Sequence, residues 1–390
     1  MPDTVRKSTW PKVAFGDVVR LSKERCNDPL GSGIERYVGL EHIEPNDLTI
    51  RSWGKVADGT TFTSIFRPGQ VLFGKRRAYQ RKVAVADFRG VCSGDIYVLE
   101  PANENLLPEL LPFLCQTDRF FEHAVGTSAG SLSPRTNWRQ LSEYEFALPP
   151  LDEQRRLVGA LRASTRTEYA LCDLQVSLGL LLSSTIDECA DHAATAGSTL
   201  ALEELVEGDR PITYGILKPG KEVSGGVPVV KVRDFPNGEI ITDNLLQIDP
   251  SIAAEYARST LRSGDLLISI RGTVGRLAFV PEKLDGANIT QDTARLSLRS
   301  DINSEYIRAM IESSFVQRQI ASLITGLAVQ GINLGELRRV RLPMIGRAQQ
   351  DELIREVAAI RDSTSKLEVR VAASRAIQKS LLHRALEDDE

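Results

Sequence analysis

Two long stretches of helical periodicity constrain what this chain can fold into. The first begins LPPLDEQRRLVGALRAS at Leu148 and runs to about His192. Leu157, Leu161, Leu171, Leu174, Leu178, Leu181 and Leu182 recur along it at three- and four-residue steps. That spacing lines one face of a helix. Pro149 and Pro150 stand just before its start, where proline can enter a helix but not continue one. Asp152 and Glu153 fall in the first turn, where negative charge suits the helix dipole. No proline follows until Pro211. At ~1.5 Å per residue such a stretch makes a rod of roughly 60 Å. So long a rod with so narrow an apolar stripe needs a partner helix.

The partner is expected in the same chain. Leu342-Pro343-Met344 opens a second stretch that runs to about Leu386. Gln350, Leu353, Ile354 and Val357 repeat Gln154, Leu157, Val158 and Leu161 at an offset of 196 (353 − 157). Ile360, Leu367, Val371 and Leu381 continue the stripe. The chain thus reads as one plan used twice. The expected segments are a globular domain over 1–148, a long helix over 149–192, a second globular domain over 193–342 and a second long helix over 343–390. The expected fold is α+β: two mixed α/β domains, two long antiparallel coiled-coil helices and a pseudo-twofold internal repeat. Leu157, Leu161, Leu171, Leu178, Leu353, Val357, Leu367 and Leu381 are the expected partner-binding positions of the helices.

The domain text supports the repeat. Short apolar runs bounded by glycine or charge read as strands: Val18-Val19, Tyr37–Leu40, Thr60–Phe62, Gly69–Gly74, Lys82–Ala86 and Val91–Leu99. Leu106 to Val125 reads as a helix, and Glu305 to Ile324 as its repeat. Leu261 to Val280 matches Phe66 to Val85 at an offset of 195. Each has an apolar strand, a basic bend and a returning apolar strand. The polar loop at 126–138 recurs at 326–333. A linker near 192–198 separates the copies.

The 390 residues suit two or three domains, and 42% hydrophobic with 26% charged residues suits a soluble globular protein. No run of ~18 apolar residues offers a membrane span. The first twelve residues lack the apolar core of a signal peptide. Cys26, Cys92, Cys115, Cys172 and Cys189 are scattered and odd in number, as expected of a reduced, cytoplasmic protein. The net charge of −4 decides nothing, because nucleic-acid binding follows local charge.

Local charge peaks at the first bend. Arg67, Lys75, Arg76, Arg77, Arg81 and Lys82 occur there with no acid between them, and with Tyr79 and Gln80 among them. Arginine, glutamine and an aromatic on one loop suit phosphate contacts and base-edge hydrogen bonds. A solvated hairpin tip is the plainer reading. Arg271, Thr273 and Arg276 at the same point of the second copy favour nucleic acid. The loops add Ser128, Ser131, Arg135, Asn137 and Trp138, and in the second copy Gln330 and Asn333, either as contacts or as plain connectors. Tyr214, Lys218 and Arg233 are balanced between packing and DNA contact; Arg233 could instead pair with Asp234.

Catalytic signals are missing. Gly215-Ile-Leu-Lys-Pro-Gly220-Lys221 has the glycine-lysine spacing of a phosphate loop. However, Glu222 replaces the magnesium-binding hydroxyl, and Pro219 removes a backbone donor. The histidines at 42, 123, 192 and 383 show no metal-ligand spacing. No Asn/Asp-Pro-Pro-aromatic motif and no Glu-x-Lys occurs, so neither amino-methyltransferase nor nuclease chemistry is written here.

These parts together resemble the DNA-specificity subunit of type I restriction-modification systems over essentially the whole length. The matching stretches are LPPLDEQRRLV, ITYGILKPG, VPVVKVRDFPNGEI, GDLLISIRGTVGRLAFVP, NITQDTARL and GLAVQGINLGELRRVRLP. The resemblance implies a non-catalytic chain that reads a bipartite, asymmetric site on double-stranded DNA. It implies two target-recognition domains, helices acting as spacer, two docked methyltransferase subunits and motor-nuclease restriction subunits. S-adenosylmethionine, ATP and magnesium would belong to those partners, none to this chain. The first copy departs from the pattern, with FGKRRAYQRK where the second has ISIRGTVG. The competing class is a coiled-coil scaffold whose β domains bind protein, which would show no salt-sensitive DNA affinity.

Overall fold

The computed structural model describes residues 10–130, 132–326 and 330–387. The chain forms two compact units, Met1–Asp173 with Glu368–Glu390, and Leu174–Leu367. Each is a mixed α/β domain completed by parts of two long helices, Leu151–Thr195 and Arg347–Leu382.

In the first unit, Lys12–Ala14 pairs antiparallel with Glu145–Ala147. A four-stranded antiparallel sheet has the order Val19–Leu21, Ile96–Pro101, Val71–Gly74, Val83–Val85. A second sheet orders Gly54–Lys55, Arg36–Val38, Gly90–Cys92 and Ser64–Phe66, with Tyr37 and Val91 in parallel register. The two-residue period of a strand divides the core. Val71 and Phe73 join the cluster around Phe15, Leu99 and Phe120, while Leu72 enters the cluster around Val38, Phe66 and Val98.

The second unit repeats this order. Thr199–Ala201 pairs antiparallel with Arg341–Pro343. Its four-stranded sheet runs Thr213–Tyr214, Thr293–Leu296, Leu266–Ser269, Leu277–Phe279. Leu266 and Ile268 enter one core and Leu267 the other, as Val71, Phe73 and Leu72 do at 195 residues' remove (266 − 71). The turns before these strands also match. Gly69 and Gly264 take φ of 88° and 86°, the left-handed region where only glycine is unstrained. Arg67 N–H donates to Gln70 Oε1 at 2.8 Å, and Arg262 N–H to Asp265 Oδ2 at 2.7 Å.

The long helices begin alike. Gln154 donates to Pro149 O at 2.8 Å and Gln350 to Ile345 O at 2.8 Å. Both amides are buried and each supplies a donor to a carbonyl at the helix entrance. In the first unit the helices pair antiparallel. Arg375 meets Glu168 at 2.7 Å and Gln378 meets Thr165 at 3.2 Å. Val158 and Leu161 share a core with Leu382 and Leu386. In the second unit Ile186 and Ala190 share a core with Leu353 and Val357.

Of the expected helix-face positions, Leu161, Leu353, Val357 and Leu367 are buried. Leu157, Leu171, Leu178 and Leu381 are half-buried. Leu174 and Leu181 are not part of the stripe: they are 48% and 51% exposed. The covered series steps through Leu171, Gln175, Leu178 and Leu182. A residue one position off such a series is turned about 100° away from it.

Other local expectations also shift. Leu106 to Val125 is two helices, Leu111–Leu114 and Asp118–Gly126, parted where Thr117 accepts from Phe120 N–H as an N-cap. Its counterpart divides at Ser313, which caps Ser314–Leu323. Val18 ends a one-turn helix, Phe15–Val18, and the strand near Thr60–Phe62 starts at Ser64. All five cysteines are free.

Candidate nucleic-acid interface

The sheet strand Val71–Gly74 ends where Lys75–Arg77 leaves the sheet, and the distant polar loop folds back onto it. Ala129 and Arg135 exchange backbone hydrogen bonds of 3.1 and 2.9 Å, closing the loop as a small hairpin. Arg76 bridges Arg135 in antiparallel register. Arg77 N–H donates to Pro134 O and Thr136 N–H to Lys75 O, both at 2.8 Å. Two segments some sixty residues apart therefore form one surface, Arg76 opposite Arg135.

The second unit builds the same device. Thr325 and Gly331 exchange bonds of 2.9 and 3.0 Å, and Arg271 bridges Gly331. Gly272 N–H donates to Gln330 O at 2.9 Å, and Ile332 N–H to Ile270 O at 3.0 Å. The bend turns on left-handed Gly272 and Gly275 here, and on left-handed Arg77 and Arg81 in the first unit. Those two arginines flank the turn Ala78–Gln80; Ala78 is buried and Tyr79 is 56% exposed. A buried alanine beside an exposed tyrosine is what the tight turn achieves.

A carboxylate organises the first device. Asp95 Oδ1 accepts from Arg135 Nε at 2.9 Å, and Oδ2 accepts from Arg76 Nη1 at 3.2 Å. Arg76 Nε also donates to Ser133 Oγ at 2.6 Å. Burial works to raise the Asp95 carboxyl, but the Arg135 and Arg76 hydrogen bonds and charges outweigh it and hold it below the ordinary range. In the second device Arg271 Nη1 donates to a neutral partner, Gln291 Oε1, at 3.1 Å. Neither Asp95 nor Gln291 was picked out by sequence reasoning. The basic run was read as acid-free, and its carboxylate arrives from the turn before the next strand.

The remaining candidates divide by what they touch. Arg77, Tyr79, Arg135, Lys218, Arg233, Arg271, Thr273 and Gln330 are exposed. Arg233 lies 3.5 Å from Asp234. Lys75 is half-buried with its ammonium 4.7 Å over the Tyr97 ring; burial is the main cause that pushes its pKa down. Lys82 Nζ donates to Leu40 O at 2.6 Å, and Gln80 is half-buried. Ser128 Oγ donates back to Ala124 O at 2.6 Å. Trp138 packs 6.1 Å from Phe15 and from Tyr97. Asn137 and Asn333 each cap a short helix, accepting from Arg139 N–H at 3.0 Å and Gly335 N–H at 2.8 Å. Tyr214 sits half-buried on its strand, and Arg276 donates its backbone N–H to Ser269 Oγ at 2.8 Å. Ser131 lies outside the described residues.

No group of His, Cys, Asp and Glu suited to a metal occurs among the described residues. A cleft of about 670 Å³ in the first unit is lined by charge that is already paired. Asp47 meets Arg51 at 2.7 Å and Tyr169 at 2.6 Å, and Asp118 meets Arg81 at 2.8 Å and Lys379 at 3.0 Å.

Residues 7–170 match the family model described as the type I restriction modification DNA specificity domain. Over 161 residues the chain is 28% identical to the type I restriction enzyme EcoBI specificity subunit of Escherichia coli, covering 41% of this chain and 34% of that one. It is 29% identical over 160 residues to the EcoDI specificity subunit of the same organism, covering 39% and 34%. The match thus spans about a third of the length of these curated relatives. A chain solved in a study of type I R-M system assembly and conformational transition aligns over 96% of this chain and 97% of its own, with TM-score 0.63 and 20% identity. At that identity the likeness is one of fold.

Proposed function

Because residues 7–170 match the type I restriction modification DNA specificity domain and the chain is similar over some 160 residues to specificity subunits, we propose that it is the non-catalytic DNA-reading subunit of such a system. Each unit reads one half of a bipartite site on double-stranded DNA through its bend and folded-back loop. The observation that carries this reading is the duplication of one device with different side chains. Arg76, Arg77, Tyr79 and Arg135 stand in the first copy, and Arg271, Thr273 and Gln330 in the second. A common frame with unlike side chains suits two unlike half-sites, since base edges are distinguished by donor and acceptor pattern. Exposed arginines on both copies suit the phosphate contacts that fix register.

The reading extends to partners. Two methyltransferase subunits, and motor-nuclease subunits with them, would supply the chemistry with S-adenosylmethionine, ATP and magnesium, in the cytoplasm. Leu174, Val176, Leu180 and Leu181 leave the first long helix 48–68% exposed. Leu174 with Leu181 and Val176 with Leu180 fall on two sides of the helix, and exposed apolar surface of that kind supports protein docking there.

The test is a long-read methylome of cells carrying the chain with its neighbouring methyltransferase, against cells lacking only this chain. Loss of methylation at one bipartite motif is the expected result. An unchanged methylome, with the methyltransferase expressed, refutes the proposal and favours a scaffold.

A further inference from the structure

The geometry of the first device points to a division of labour that rests on the DNA-reading proposal. We infer that Asp95 is a positioning residue: it holds Arg76 and Arg135 as one fixed donor edge for base reading and cancels part of their attraction for phosphate.

Three observations converge on this carboxylate. It is anchored at its backbone, with Lys75 N–H donating to Asp95 O at 3.0 Å and Asp95 N–H donating to Ser93 Oγ at 3.2 Å. Its two oxygens are divided between two arginines from different segments, at 2.9 Å to Arg135 and 3.2 Å to Arg76. The carboxylate is 20% exposed, whereas Arg76 and Arg135 are 39% and 56% exposed. The anion is sheltered while guanidinium surface stays open. Each arginine has five N–H donors in a planar fork, so the donors not engaged by Asp95 and Ser133 remain for a ligand.

A guanidinium held on one edge by a carboxylate loses rotamer freedom before binding, which favours a ligand that fits that one orientation. A base edge has that requirement, and a phosphate does not. Two arginines and one carboxylate carry one net positive charge rather than two. The second unit holds Arg271 through the neutral Gln291 amide, which orients without cancelling charge. The two halves therefore reach orientation by different means.

The test uses the full chain, a randomised-sequence DNA duplex and titration of binding against salt. Asp95→Asn keeps the shape and removes the charge. It should tighten binding to the randomised duplex and steepen the log–log salt slope by up to ~0.9, the value of one added phosphate contact. Selection from the randomised library should show discrimination at one half-site falling by about 5- to 150-fold, with the other half-site unchanged. The double variant D95N/R135Q should return the slope to that of the parent while discrimination stays lost. An unchanged slope with unchanged selection overturns the inference. So does weaker, shallower binding by D95N, which would make Asp95 a structural tie alone. If the parent chain itself shows no salt-sensitive affinity, the DNA-reading proposal fails first and this inference falls with it.

Discussion

Asp265→Asn should destabilise the second unit far more than its conservative shape suggests. Asp265 is 4% exposed and faces Arg210, 10% exposed, in a two-pronged pair with both contacts at 3.0 Å. Its Oδ1 also accepts from Ser297 Oγ at 2.6 Å, and its Oδ2 from Arg262 N–H at 2.7 Å. Nearby Arg295 is 2% exposed. Its guanidinium bonds the carbonyls of Arg258, Thr260 and Pro211, while its Nε finds no partner among the described residues. Burial and then the Arg210 charge depress the Arg295 pKa, and Asp265 opposes both. Asparagine would keep some hydrogen bonds but leave two buried cations repelling one another without the carboxylate paired to Arg210, with Glu207 the remaining anion that acts on Arg295. Breaking a buried pair on one side costs about 3–5 kcal/mol. Hydrogen exchange read peptide by peptide is the assay. Amide protection across Leu266–Ser269 and Thr293–Leu296 should fall by roughly two to three and a half orders of magnitude. Protection across Val71–Gly74 should hold. Ser297→Ala, which removes a single hydrogen bond, should cost only about 1 kcal/mol. A loss below about 1 kcal/mol for D265N would show that water or a neighbouring group replaces the carboxylate, and the argument from burial would be wrong.

Asn137→Ala and Asn333→Ala should each lower stability by about 0.5–2 kcal/mol, the cost of a lost N-cap, in chemical denaturation. The salt slope of DNA binding should not move, since both side chains are engaged by their helices. Acid should loosen the first unit. Burial works to raise Asp118, but Lys379 and Arg81 outweigh it and depress its pKa, as the arginines do for Asp95. A depressed carboxyl contributes stability that is present above its unfolded pKa of about 3.9 and is lost as pH falls through its folded value. Thermal unfolding followed from pH 6 downward should therefore show a steep fall below pH ~4, and Asp118→Asn should flatten it; an equally steep fall in the variant would remove this pair from the account.

The repeat was legible because it is written in features that survive without knowledge of contacts. The leucine spacing and the Gln154 and Gln350 pair keep an offset of 196, and the matching turns at Arg67–Gln70 and Arg262–Asp265 keep one of 195. In the fold the two-residue strand period sends Val71 and Phe73 to one core and Leu72 to the other. The helix stripe was legible only to within one residue. From Leu171 the next covered position can be 174 or 175, and both steps obey helical spacing. Leucine at 174 and 181 favoured the wrong step, and the fold covers Gln175 and Leu182 instead. Amphipathic periodicity locates a face; polar residues on a paired face conceal its exact line.

The site was less legible for a different reason. Charge in a sequence window does not say where the cationic heads go. Arg81 and Lys82 belong to the basic run, yet they end on the Gln116 and Leu40 carbonyls, because buried carbonyls near a hairpin need donors and long side chains can reach them. On their loops Asn137 and Asn333 suit either a contact or a plain connector, although the same residue type is a preferred helix cap. The joining of Arg76 to Arg135 depends on a backbone bridge between segments remote in sequence, which no local pattern encodes. What the pattern did contain was the duplication itself: Arg76 and Arg271 share a place in the repeat, as do the loops that fold back on them. A position repeated by offset and left exposed in both copies is then a better guide to function than the density of charge around either one. By that criterion Arg271, in a bend it shares with two glycines and Arg276, ranks above Lys82 in a crowd of cations.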